Sequence, residues 1–149
     1  MSLSDKETLR KLHSETQESL HDTCLLCGNK NPIGFKLKFD VEQAGMVSSE
    51  FFCHFRFEGY KGYLHGGVIA SIIDSAMTNC LFSQGLAAVT AELSVKYGTP
   101  VRCGKPAIVR AWIVKSFPPL HSLRSEIAQN GVVVVTAEAK FMEEATLRN

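Results

Sequence analysis

The stretch GYLHGGVIASIID, residues 62–74, sets a histidine and two glycines directly before an apolar run that carries one carboxylate, Asp74. The run reads Val68, Ile69, Ala70, Ile72, Ile73, Ala76 and Met77, and an acid among such residues is expensive to bury unless it is paired. Two readings are open. In one, Asp74 lies at a helix surface or is held by Ser71, Thr78 or a partner's side chain. In the other it is functional, because buried acids are rare and are usually paired or at work. Its neighbours one turn away, Ala70, Ser71, Met77 and Thr78, are mostly small and leave room for a ligand or a second backbone.

Gly66 and Gly67 would open the helix. Their N–H groups are then among the four that find no acceptor inside it, and glycine lets another molecule approach them closely. The positive end of the helix dipole favours an oxygen gaining negative charge at that point. This is the physical description of an oxyanion site. Asp74 stands two turns further along, so it cannot serve the same carbonyl from the same helix. A twofold partner resolves the geometry if the donors come from one subunit and the carboxylate from the other. His65, just before the helix, reads either as a loop-orienting residue or as a proton-transfer group.

The elements that must position these residues are legible in the periodicity. Residues 2–21 read as a polar-faced helix with sparse leucines, and Ser4 with Glu7 offers a capping box. CLLCGNKNPIGF is a turn-rich linker. FKLKFDV alternates from Phe35, a turn is expected at Gln43-Ala44-Gly45, and MVSSEFFCHFRF continues in β-type residues. Between His65 and Gly85 the apolar positions recur at helical spacing and leave little polar surface, which describes a buried helix of about 16 residues, roughly 24 Å long. Val89, Ala91, Leu93, Val95 and Tyr97 then point one way, and Thr90, Glu92, Ser94 and Lys96 the other. AIVRAWIVKSF and SLRSEIAQ read as strands, and Asn130-Gly131 is a strong hairpin signal leading into VVVVTAEAKFM.

Helix and strand do not alternate, so an α+β fold is favoured over a doubly wound parallel sheet. One long helix would lie across an antiparallel sheet of five or six strands, with residues 1–23 as a helical extension and 24–149 as the main domain. A single central helix leaves a sheet edge or face to be covered, so at least a dimer is expected.

The chain has 149 residues, 45% hydrophobic and 21% charged, with a formal net charge of +1. That describes an ordinary globular protein, long enough to bury about 68–70% of its unfolded surface. The scattered Lys and Arg form no basic patch of the kind that neutralises phosphates, so nucleic acid is not an expected partner. No apolar run reaches the roughly 18 residues of a membrane span, and the N-terminal residues lack the features of a signal or transit peptide. With five cysteines, reduced thiols and a cytoplasmic location are expected.

HGGVIASIID together with SQGLAAVTAELSVKYGTPV resembles the hotdog-fold acyl-CoA thioesterases of the PaaI (phenylacetyl-CoA thioesterase-like) type, over about residues 24–142. Their pattern of His-Gly-Gly, six residues and Asp is matched at His65, Gly66, Gly67 and Asp74. The resemblance implies that Asp74 is the catalytic carboxylate, as general base or nucleophile. The Gly67 N–H would polarise the thioester carbonyl, His65 would hold that region, and Thr90 would sit near the attacking water. It implies further that Gly66, Ser75 and Tyr63 contact substrate, that acyl-CoA binds at a subunit interface, and that homodimers assemble into a tetramer. A thioester carbonyl is already electrophilic and a thiolate leaves readily. A carboxylate with a backbone oxyanion site therefore suffices, and no cofactor or metal is demanded.

Other constellations weigh less. CLLCG has the spacing of a zinc half-site, for which His21 or His13 offers a third ligand, but no second Cys-x-x-Cys exists and plain thiols are the favoured reading. Gly-x-Ser-x-Gly is absent, Gly98–Lys105 fails as a phosphate loop, and Cys80 has no base placed by the sequence. Phe51, Phe52, Phe55, Phe82, Met77 and Tyr63 could line an acyl pocket or fill the core. Lys96, Arg102, Lys105 and Arg110 are candidates for CoA phosphates or simply solvated charges. Two rival functions remain: a hotdog hydratase or dehydratase, faintly suggested by HFRFEGY (residues 54–60), and a non-catalytic acyl-CoA-binding protein.

Overall fold

The computed structural model describes residues 2–43 and 45–148. In chain order they form α1 (Leu3–His21), β1 (Asp40–Gln43), β2 (Met46–Phe52), a 3-10 turn (Phe55–Phe57), α2 (Gly66–Phe82), β3 (Ala88–Tyr97), β4 (Pro106–Phe117), β5 (Leu120–Gln129), β6 (Val132–Glu143) and a closing 3-10 turn (Ala145–Arg148). The six strands make one antiparallel sheet in the order β1-β2-β4-β5-β6-β3. Helix α2 lies across it, in contact with β2, β3, β4 and β5. No helix among the described residues is long and apolar enough to cross a membrane.

The apolar run of α2 explains its place. Ile72, Ile73, Met77, Leu81 and Phe82 are fully buried, and Phe141 and Leu123 meet them in the core beneath. Past its end, Gly85 takes φ +71° and Leu86 N–H returns to Leu81 O at 3.1 Å, a left-handed stop that glycine allows without strain. Asn130 and Gly131 both have positive φ, as a tight hairpin turn between right-twisted strands requires.

Three details depart from the sequence expectation. The capping box of α1 is made by Ser2 and Asp5 rather than Ser4 and Glu7; Ser4 lies inside the first turn, where its carbonyl accepts from Thr8. The strand expected from Phe35 begins only at Asp40, because the backbone before it is used elsewhere. Phe35 and Leu37 donate to Leu25 O and Leu26 O, each at 2.9 Å, and Lys36 adopts φ +53°. Of the expected turn at residues 43–45, Ala44 lies outside the described residues.

The third departure concerns β3. Its pairing with β6 shifts between Thr90 and Glu92, so Ala91 is an extra residue, a β-bulge. Thr90 pairs with the buried Phe141, while Leu93, Val95 and Tyr97 pair with Ala139, Ala137 and Val135. The bulge therefore puts Thr90 on the same sheet face as Leu93, Val95 and Tyr97, the face toward α2. Unbroken alternation would have turned it the other way.

Helix α1 packs on α2 and β1. Arg10 forks onto Asp40 at 2.9 and 3.2 Å, and His13 Nε2 meets Asn79 Oδ1 at 2.9 Å. Burial holds the His13 and His21 imidazoles below their ordinary range. As pH falls through about 6.5, the unfolded chain takes up these protons before the folded one does, so stability is lost on that side. The urea midpoint should decline from about pH 7.5 to about pH 5.5, and His13→Gln should flatten that slope.

Candidate active site

The N-terminus of α2 is capped by a side chain one residue outside it. His65 has extended backbone angles, and its Nδ1 accepts the Gly67 N–H at 2.8 Å. The first hydrogen bond of the helix runs from Ile69 N–H to His65 O at 3.0 Å. In this arrangement Gly67 N–H is engaged, whereas the Gly66 and Val68 N–H groups have no hydrogen-bond partner among the described residues. His65 is thus a cap in the protomer. His65→Ala should lower stability by about 1 kcal/mol in a denaturant titration, and His65→Asn, a good N-cap, should recover most of it.

Beside this helix end a cleft of about 800 Å³ opens, lined by Tyr60, Tyr63, His65, Gly66, Tyr97 and Val101 among others. The volume suits a small-molecule site. Tyr97 O–H donates to Gly66 O at 2.7 Å and so holds the glycine backbone to the end of β3. Tyr60 and Tyr97 were not singled out by the sequence. The signal available was their type, since all three tyrosines of the chain stand at this cleft.

Asp74 lies in the middle of α2, half-buried, and receives the Thr90 hydroxyl on Oδ1 at 2.5 Å. Its own carbonyl accepts from Thr78 at 2.9 Å. Thr90 is exposed on β3, the last strand of the sheet, so the carboxylate and its hydroxyl partner stand at an open edge. Asp74 Oδ2 has no hydrogen-bond partner among the described residues. Eight residues separate Gly66 from Asp74, about 12 Å of helix. Asp74 and the N-terminus of α2 are thus held apart within one chain.

The remaining candidates divide. Tyr63 lines the cleft, but Ser75 is buried, and its Oγ has no hydrogen-bond partner among the described residues. Cys80 is buried, its Sγ donates to Gly45 O at 3.0 Å, and burial pushes its thiol up to about 12, so packing is its role. Met77 and Phe82 are core residues. Arg110 pairs with Glu42 at 3.5 Å, while Lys96, Arg102 and Lys105 are exposed.

Residues 61–117, which run from the cleft through α2 and β3 into β4, match the family described as the thioesterase superfamily. Over nearly all of its length, the structure superposes on the Escherichia coli PaaI protein from the phenylacetic acid degradation operon. The TM-score is 0.79 at 18% identity, covering 95% of this chain and 96% of that one. This is the hotdog fold.

Other relatives of the hotdog are similar in part. Acyl-coenzyme A thioesterase THEM4 of Rattus norvegicus is 36% identical over 58 residues, which cover 39% of this chain and 25% of the relative. The match thus spans a quarter of that protein's length. A hypothetical thioesterase from Streptococcus pneumoniae, solved with coenzyme A, has TM-score 0.69 at 19% identity, covering 72% of this chain and 85% of that one. That streptococcal protein has also been solved with an aspartate or a threonine replaced by alanine, at positions 16 residues apart, the separation of Asp74 and Thr90 in this hotdog.

Proposed function

We propose that the protein hydrolyses acyl-CoA thioesters, with Asp74 as the general base or nucleophile. The observation that carries this reading is the Thr90–Asp74 hydrogen bond. It fixes a carboxylate of the central helix at an open sheet edge, with one oxygen spoken for and one free. The superfamily match over residues 61–117 supports the same chemistry.

In the general-base form, Asp74 Oδ2 takes a proton from water as the water oxygen bonds to the thioester carbon. The carbonyl oxygen gains charge and is met by N–H groups at the start of α2. The C–S bond then breaks, the CoA sulfur leaves as thiolate and is protonated, and free acid is released. Gly66 and Val68 N–H are the donors available as they stand; Gly67 N–H becomes one when His65 Nδ1 releases it. Because Asp74 and these donors are about 12 Å apart along one helix, the working site combines Asp74 of one subunit with the α2 N-terminus of another. Edge-to-edge pairing of β3 across a twofold axis would join them and cover the long open strand. A homodimer is the assembly this calls for, and the resemblance to the PaaI type adds its doubling to a tetramer.

The test is thiol release from short, medium, long and aryl acyl-CoAs. Turnover of at least one class is expected. Binding of CoA esters with no thiol released from any would overturn the hydrolase reading, and crotonyl-CoA hydration would then separate a hydratase from a binding protein.

A further inference from the structure

We propose that the protein binds one zinc ion through His21, Cys24 and Cys27, a site independent of the thioesterase chemistry. The ligand atoms of these three residues all lie within 4.8 Å of one another, and His21 Nδ1 is 3.7 Å from Cys27 Sγ. For tetrahedral zinc, with Zn–S of about 2.3 Å and Zn–N of about 2.0 Å, the N···S and S···S edges are about 3.5 and 3.8 Å. The His21–Cys27 separation matches such an edge, and Cys24 Sγ, within 4.8 Å of both, needs to move inward by no more than about 1 Å. Two thiolates and an imidazole are the donor set zinc prefers over the hard cations that take oxygen ligands.

The surroundings resemble the support a metal site receives. Leu26 N–H points at Cys24 Sγ at 3.4 Å, and Gln17, itself nine-tenths buried, directs Nε2 at Cys27 O at 2.9 Å and at Cys27 Sγ at 3.9 Å. The turn is closed by Gly28 N–H to Cys24 O at 2.9 Å. A Cβ on Gly28 would lie 2.3 Å from Cys24 N, so only glycine lets the two cysteines curl together this tightly. The His21 ring is fixed edge-on against Phe82 at 5.0 Å. A lone S–H···N contact would account for His21 and Cys27, but not for the convergence of Cys24 on both. The sequence showed the half-site; α1 ending at His21 supplies the third ligand.

On binding, both thiols give their protons to solvent and the imidazole binds as the neutral base, so Zn²⁺ enters a site of matching charge. Three protein ligands leave one tetrahedral position, which the partly exposed side of the cluster leaves for water. The ion would tie the end of α1 to the turn at 24–28, and through Leu25 and Leu26 to residues 35–37.

The experiment uses the full chain, reduced and stripped with chelator, then titrated with Co²⁺ as a spectroscopic stand-in and back-titrated with Zn²⁺. A thiolate-to-cobalt charge-transfer band saturating at one equivalent, and removed by zinc, is expected. Cys24→Ser and His21→Gln should each weaken binding by more than the 10–100-fold typical of losing an outer partner, while Cys103→Ser leaves it unchanged. The wild-type titration stands even if a variant folds poorly. No charge-transfer band in the reduced wild type, or an undiminished band in Cys24→Ser, would overturn the proposal. So would mass-spectrometric evidence for a Cys24–Cys27 disulfide in a chain whose reduced form takes up no metal.

Discussion

Asp74→Asn should lower kcat for the preferred acyl-CoA by at least about 100-fold while leaving the fold in place. A positioned general base contributes about 10²–10⁴-fold, and asparagine keeps the shape of the carboxylate without its capacity to take a proton. The amide oxygen can still accept the Thr90 hydroxyl that Asp74 Oδ1 accepts at 2.5 Å, so little stability is at stake. KM should change far less than kcat, the pattern of an interaction made chiefly in the transition state. Steady-state thiol release and a urea titration of both proteins decide the matter. Equal turnover in the variant would return Asp74 to a structural role and leave its position at the open edge unexplained. Thr90→Val should have a smaller effect in the same direction, since it frees Oδ1 without removing the base.

The largest effect on stability is expected at Phe141→Ala. This ring has no solvent exposure, and on β6 it stands between Thr90 of β3 and His121 of β5. Truncating it loses the transfer energy of a large apolar group and leaves a void in a close-packed layer, about 3–5 kcal/mol in all. Domains of this size have only about 5–15 kcal/mol in hand, and each kcal/mol corresponds to about 2–4 °C of Tm. A fall of roughly 10 °C is expected in a thermal melt. The contrast is Phe52→Ala, whose ring is 50% exposed and should cost about 1 kcal/mol or less. If the two melted alike, the core assigned to the α2-facing sheet surface would be misplaced.

Much of this was legible in the chain. The buried helix, the four strands after it and the Asn130-Gly131 turn follow from periods of 3.6 and 2, interrupted in β3 by the bulge at Ala91. What failed to show in the sequence was where backbone hydrogen bonds go. Residues 36–39 alternate like a strand, yet Phe35 and Leu37 donate to the Cys-x-x-Cys turn and no ladder forms there. The site divided the same way. Asp74 announced itself by its apolar neighbours and His65 by its glycines. That His65 caps Gly67 N–H, and that His21 rather than His13 closes on the two cysteines, depended on side-chain geometry no spacing rule encodes.

The bulge at Ala91 makes the facing of Thr90 a matter of parity. Two strand positions, Thr90 and Leu93, share a face although an odd number of steps separates them, and the unpaired residue absorbs the difference. Removing Ala91 would leave an even count and a regular ladder with every other pairing unchanged, Thr90 still turned to Asp74. Adding a residue between Glu92 and Leu93 also makes the count even, but keeping Thr90 opposite Phe141 then leaves two residues unpaired instead of one. At this point the chain tolerates a loss in length better than a gain, because the ladder already accommodates one residue more than its pairings use.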